Sequence, residues 1–121
     1  MNLRSLVAMV PVTDMTRSLA FYQRLGFDLE NDFVPPGEKT AVWAWLDGGG
    51  AMLMLNCASG PLPPPTQRAI YYVYCPDVPE KHAELLAKGI AAGPIVQRFY
   101  APQGEFRVED PDGYVLMFTH V

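Results

Sequence analysis

The spacing of hydrophobic and polar positions changes period several times along the chain. Residues 6–12 alternate, with Leu6, Ala8, Val10 and Val12 on one face and Val7, Met9 and Pro11 on the other, which predicts a strand. From Met15 the period lengthens to that of a helix, with Met15, Leu19, Tyr22 and Leu25 as its apolar stripe. Asp14 stands where an N-cap carboxylate accepts from free backbone N–H groups, and Gly26 where a left-handed residue closes the last turn.

The same order returns after the midpoint. Residues 70–75 form an aromatic-rich strand, Asp77 is the cap, and Pro79 suits the first helical turn. Leu85, Leu86 and Ile90 supply the stripe, and Gly89 marks the stop. The interval from Asp14 to Gly26 equals that from Asp77 to Gly89, the mark of an internal repeat. Strands are predicted over 28–34, 40–46 and 51–56 in the first half, and over 95–99, 105–109 and 114–120 in the second. Asp47-Gly48-Gly49-Gly50 and Asp110-Pro111-Asp112-Gly113 supply hairpin turns, the latter through the positive φ that its final glycine tolerates.

The expected fold class is α+β: two tandem βαβββ modules, each a mixed sheet with its helix on one face. The first module is expected over 1–58 and the second over 68–121, forming one structural domain by internal duplication. The segment 59–67 between them holds Pro61, Pro63, Pro64 and Pro65; such a run favours extended polyproline II and cannot join a central strand.

Composition narrows the function classes. The 121 residues are 50% hydrophobic and 18% charged, as in a folded globular chain. The net charge is -4 and no Lys/Arg run occurs, which argues against a nucleic-acid surface. No apolar stretch approaches the about 18 residues of a membrane span, and Val7 to Val12, broken by Pro11, is too short for a signal-peptide core. A cytoplasmic protein is expected. Cys57 and Cys75 lack metal-ligand or redox spacing and read as reduced thiols.

Catalytic motifs are sparse. Gly48-Gly49-Gly50 is followed by neither a helix nor Lys-Ser/Thr, so it reads as a turn and not as a phosphate loop. Ser5, Ser18 and Ser59 have no recognisable base, and His82 and His120 no partner at ligand spacing; a surface helix position and a chain-end position are the readings of the two histidines. Glu105, Arg107 and Glu109 share a strand face opposite Phe106 and Val108. They are either sheltered ligand-binding groups or solvated charges, and burial alone decides between the two.

Three segments resemble a known family. Val10-Pro11-Val12-Thr13-Asp14-Met15, Ser18-Leu19-Ala20-Phe21-Tyr22 and Leu25-Gly26-Phe27 are similar to the opening signature of the vicinal oxygen chelate superfamily. That group holds glyoxalase I, extradiol dioxygenases, and fosfomycin- and bleomycin-resistance proteins. Asp110-Pro111-Asp112-Gly113-Tyr114 and the apolar strand after it resemble the closing motif. The resemblance implies paired βαβββ modules with curved, half-open sheets, helices on the outer face, ligand sites in the concave cups, and a homodimer. The enzymes of the family hold a divalent metal with His, Gln or Glu on cup-facing strand positions, and those positions map to Val7, Ile70 and Met117. Val and Ile carry no donor, and a thioether is a poor ligand for hard or borderline cations. Shifting the register by one residue gives Ala8, Tyr71 or Ala69, and Leu116 or Phe118, none of which restores a ligand.

The faces opposite the aliphatic ones carry Met9, Trp43 with Trp45, Met52 with Met54, and Ile70 with Tyr72 and Tyr74. Such linings suit planar, apolar or cationic ligands, through stacking and cation–π contact, and equally suit a subunit interface. The expected ligand-binding set is therefore Met9, Trp43, Trp45, Met52, Met54, Ile70, Tyr72, Glu105, Arg107 and Met117, with no catalytic residue, metal or cofactor. The function this implies is a metal-free binding protein, similar to the bleomycin-resistance branch, that sequesters a planar or cationic antibiotic. The alternatives are a glyoxalase- or dioxygenase-like enzyme with ligands in another register, a metal-independent lyase or isomerase using Glu105 or Arg107, and a partner-binding or regulatory subunit.

Overall fold

The computed structural model describes residues 2–63, 67 and 69–121. Two compact units divide the chain, Met1–Leu62 and Pro63–Val121, and the division falls inside the proline-rich stretch. Of the expected linker, Pro64, Pro65 and Thr66 lie outside the described residues.

The first unit runs β1 (Ala8–Val12), α1 (Met15–Leu25), β2 (Asp28–Phe33), β3 (Trp43–Asp47) and β4 (Met52–Cys57). The second runs β5 (Tyr71–Tyr74), α2 (Val78–Ala87), β6 (Val96–Arg98), β7 (Ala101–Glu109) and β8 (Val115–Thr119). Each unit is an open four-stranded mixed sheet, ordered β1-β4-β3-β2 and β5-β8-β7-β6, in which the first strand lies parallel to the last and the other pairs are antiparallel. The topology is thus one βαβββ pattern used twice.

The two helices repeat each other down to single hydrogen bonds. Asp14 Oδ1 accepts from Arg17 N at 3.0 Å, and Asp77 Oδ1 from Glu80 N at 2.9 Å. Each pairing satisfies one donor of a helix start, a contribution of about 1 kcal/mol. At the other end Gly26 and Gly89 take positive φ of 119° and 80°. Past each glycine the next residue's N–H reaches back across the turn, Phe27 to Tyr22 O at 3.0 Å and Ile90 to Leu85 O at 2.9 Å. Phe27 and Ile90 are themselves buried, the hydrophobic contact that accompanies this kind of closure.

In the first unit α1 contacts β2 and β4, burying Met15, Phe21, Tyr22 and Leu25 together with Val10, Val12, Ala44, Leu46, Leu53 and Leu55. Tyr22 meets Phe21 and Phe27 edge-to-face, with ring centroids 5.4 and 5.9 Å apart. In the second unit α2 contacts β7, and Val78 and Leu85 are buried along with Phe106, Val108, Leu116 and Phe118. The Phe106 and Phe118 rings stack with centroids 5.2 Å apart. Each such fully buried aliphatic or aromatic side chain is worth about 1.5–3 kcal/mol over exposure.

Several expected details differ. Leu6 is 98% exposed, because β4 begins only at Met52 and Ala8↔Leu53 is the first pair of the ladder. The stripe of α1 passes through Ser18 and Phe21 rather than Leu19, and in α2 Leu86 is exposed while Val78 is buried. The strand expected over 40–46 starts at Trp43, after a turn closed by Glu38 N–H donating to Pro35 O at 3.0 Å. Strand β7 starts four residues before the expected Glu105, because Ala101 pairs with Arg98 across a tight turn and Gly104, at φ 105°, carries the chain through an irregular step.

Candidate functional site

The helix-free face of the first sheet is built by register. Met54 is the partner of Met9 on one side and of Trp45 on the other, and Trp45 in turn faces Asn31. One row along, Asn56 lies between Pro11 and Trp43, and Trp43 faces Phe33. Residues paired directly across strands share a face with Cβ atoms about 4.5–5.5 Å apart. Met9, Met54, Trp45 and Trp43 therefore form a continuous apolar surface crossed by two amide side chains. Met52 shares that face beside Asp47. Met9 is exposed, and Trp43, Trp45, Met52 and Met54 are half-buried.

In the second unit Met117 lies between Tyr72 and Arg107. Ile70, Arg107, Val115 and Met117 line an open depression of about 270 Å³ together with Gln67. Gln67 is fixed there by its carboxamide, whose Nε2 donates to Val115 O at 2.9 Å and whose Oε1 accepts from Val115 N at 2.6 Å. That amide acts as one extra rung beside β8, just short of the first β5 pair, Tyr71↔Leu116. The sequence carried no signal for it, since the partners are 48 residues apart.

The three charges of β7 separate. Arg107 Nη2 lies 2.8 Å from Glu109 Oε1 and both side chains are exposed, so this pair is solvated. Glu105 is 3% exposed. Its Oε2 accepts from Tyr72 OH at 3.4 Å, Tyr72 OH lies 3.4 Å from Tyr100 OH, and among the described residues Oε1 has no partner. The nearby Glu105 carboxylate, and next Tyr72, hold the Tyr100 phenol well above the usual tyrosine range. Tyr100 was missed by the sequence reading, in which it fell between two expected strands.

The histidines serve the fold, one in α2 and one at the chain end as expected, but less exposed than a surface reading implies. His82 is half-buried, with its ring edge-on to Phe106 at 4.9 Å and Nε2 2.8 Å from Gly93 O. His120 is buried. Its Nε2 accepts from Gln103 N–H at 3.0 Å, so the ring proton sits on Nδ1, which lies 3.2 Å from Val121 O. Cys57 and Cys75 are free and half-buried, and burial pushes the Cys75 thiol up, against a smaller opposing effect of Lys81.

A divalent metal does not fit the three positions to which the resemblance maps the family's ligands. Val7 and Met117 are half-buried and Ile70 is exposed; two carry no donor, and Met117 has the Arg107 side chain as its cross-strand neighbour. Among the described residues no group of three His, Cys, Asp or Glu comes together to hold an ion. No helix among them is long and apolar enough to cross a membrane.

Comparisons with known proteins agree with this architecture. No curated protein matches the chain. Among solved structures, a bleomycin-binding protein complexed with bleomycin is 21% identical, with a TM-score of 0.76 over 98% of this chain and 99% of that one. TnmS3, an antibiotic binding protein from Streptomyces sp. CB03234, is 23% identical, with a TM-score of 0.75 over 99% and 98%. The fosfomycin resistance protein FosX from Listeria monocytogenes is 12% identical, with a TM-score of 0.70 over 98% and 92%. At these identities the likeness establishes the fold. The match that establishes ancestry is to the model of the Glyoxalase/Bleomycin resistance protein/Dioxygenase superfamily, which covers residues 4–118, and the chain belongs to that family.

Proposed function

We propose that this chain is a metal-independent small-molecule binding protein that sequesters a planar or cationic antibiotic, working as a cytoplasmic homodimer. The observation that carries the reading is a substitution of chemistry on the helix-free faces. Where the enzymes of the family place metal ligands, this chain has Val7, Ile70 and Met117, and the neighbouring rows are Met9–Met54–Trp45 and Tyr72–Met117–Arg107. Indole and phenol rings offer flat stacking surface with one polar handle, and methionine adapts its shape to what lies against it. The names of two structural neighbours, a bleomycin-binding protein and an antibiotic binding protein, favour the same class of ligand.

Both tryptophans of the chain, Trp43 and Trp45, lie on the first unit's part of the proposed surface, so intrinsic tryptophan fluorescence reports on that part alone. Titration with bleomycin and a panel of planar cationic antibiotics is expected to give saturable quenching, with the ligand recovered unchanged by mass spectrometry. Elemental analysis of the purified protein is expected to show no stoichiometric Ni, Zn, Fe or Mn, and light scattering a dimer. One metal per chain, or turnover of the bound compound, overturns the reading in favour of an enzyme. Absence of quenching across the panel favours a partner-binding subunit.

A further inference from the structure

Glu105 is built unlike any other acid described in this protein. Asp110 is comparably buried, but its Oδ1 accepts from Asp112 N at 2.9 Å and from Tyr114 N at 2.8 Å, which is the chemistry of a turn. Glu84 and Glu109 are exposed and face Lys81 and Arg107. Glu105 is buried, and among the described residues no cation is paired with it. Among the described residues one of its oxygens has no donor, and the other has a Tyr72 contact of 3.4 Å beside the Tyr100 phenol. That contact is longer than the about 2.7–2.8 Å at which hydroxyl hydrogen bonds are usually found. A buried carboxylate with slack donors and an open oxygen is costly to keep unless something else completes it.

We propose that Glu105 is the counter-charge for a cationic group, an ammonium, amidinium or guanidinium, of the bound molecule, with Tyr72 and Tyr100 flanking that group. The inference rests on the binding role proposed above and names the part of the ligand that the second unit recognises. Arg107, the nearest cation along the strand face, is held by Glu109 at 2.8 Å and leaves Glu105 uncompensated. Tyr72 is fixed in β5, within the row that includes Met117 at the open depression. Tyr100 sits in the turn between β6 and β7 and is 52% exposed, so its side chain can adjust to a ligand without moving the sheet. The two phenol oxygens, 3.4 Å apart, then stand beside the cation as further acceptors.

The test uses two small probes of one shape, benzamidinium and the neutral benzamide, titrated into the full chain and followed by amide chemical shifts. Benzamidinium is expected to bind at least about 10-fold more tightly than benzamide, a ratio equivalent to about 1.4 kcal/mol. Its shifts are expected to centre on residues 72, 100 and 105, and added salt to reduce the ratio. Glu105→Gln, with its fold checked by thermal unfolding, is expected to erase the preference. Equal binding of the two probes, or benzamidinium shifts that map elsewhere, overturns the inference. Both outcomes are read on the native protein, so the inference stays refutable if the variant fails to fold. Saturable quenching of Trp43 and Trp45 together with equal binding of the two probes leaves the binding role standing and refutes this inference alone.

Discussion

Replacing Gly104 with alanine tests how the backbone presents Glu105. Gly104 takes φ of +105°, a region that L side chains rarely occupy, and an added Cβ would lie 2.3 Å from Ile95 Cγ2. Two penalties follow. Backbone strain at such a φ costs about 1–3 kcal/mol. Relieving the overlap costs about 1–3 kcal/mol more, because Ile95 is β-branched and has few rotamers to retreat to. Gly104→Ala is thus expected to destabilise the protein by about 2–6 kcal/mol, a large fraction of the 5–15 kcal/mol typical of a domain. Urea unfolding of four proteins separates the terms: the parent, Gly104→Ala, Ile95→Ala and the double variant. In the Ile95→Ala background the overlap disappears and only the backbone cost of about 1–3 kcal/mol remains, so the cycle shows a coupling of about 1–3 kcal/mol. A Gly104→Ala cost below about 1 kcal/mol, or one unchanged by removing Ile95, refutes the reasoning.

Two further outcomes follow from groups with unusual partners. Ser18 is fully buried in α1 and its Oγ has no hydrogen-bond partner among the described residues, so Ser18→Ala removes an unsatisfied group and adds the best helix former; thermal unfolding is expected to show stabilisation of about 0.5–1 kcal/mol. The Tyr100 phenol is held above its usual range by Glu105 and then by Tyr72. Because the folded chain holds that proton more tightly than the unfolded one, the stability from this contact is present at neutral pH and is lost as pH rises above the ordinary tyrosine value. Ultraviolet titration is expected to show Tyr100 ionising late, along with Tyr114, which burial also raises, and Glu105→Gln to bring Tyr100 alone back toward the others; a Tyr100 that titrates normally in the native protein contradicts the contact.

What could be read from the sequence follows the range of the interactions. Asp14 and Asp77 cap helices through bonds to residues three positions on, and Gly26 and Gly89 close them through bonds five or fewer positions back, so their spacing alone carries the duplication. Strand faces follow from a period of two, and the alternation of Trp43 and Trp45 with Ala44 and Leu46 was visible for that reason. Features set by distant partners were not. Gln67 meets Val115 and His120 meets Gln103 only after the second sheet has formed, and strand ends such as the exposed Leu6 depend on where the neighbouring strand begins.

The charges on β7 show where pattern and packing part. Glu105, Arg107 and Glu109 were one set in the sequence because period two puts them on one face. Arg107 and Glu109 have opposite signs two residues apart, so they satisfy each other locally and need nothing from the fold. Glu105 is left over, and its fate is decided by Tyr72 from another strand and by Tyr100, which the β6–β7 turn brings back over the same strand. A carboxylate left over on a solvated face would be inert. The same group beneath two phenols, with one oxygen unpaired, is a constraint on whatever completes it. The local pairing of Arg107 with Glu109 is what gives Glu105 its consequence, because a free guanidinium on that face would close the site from within.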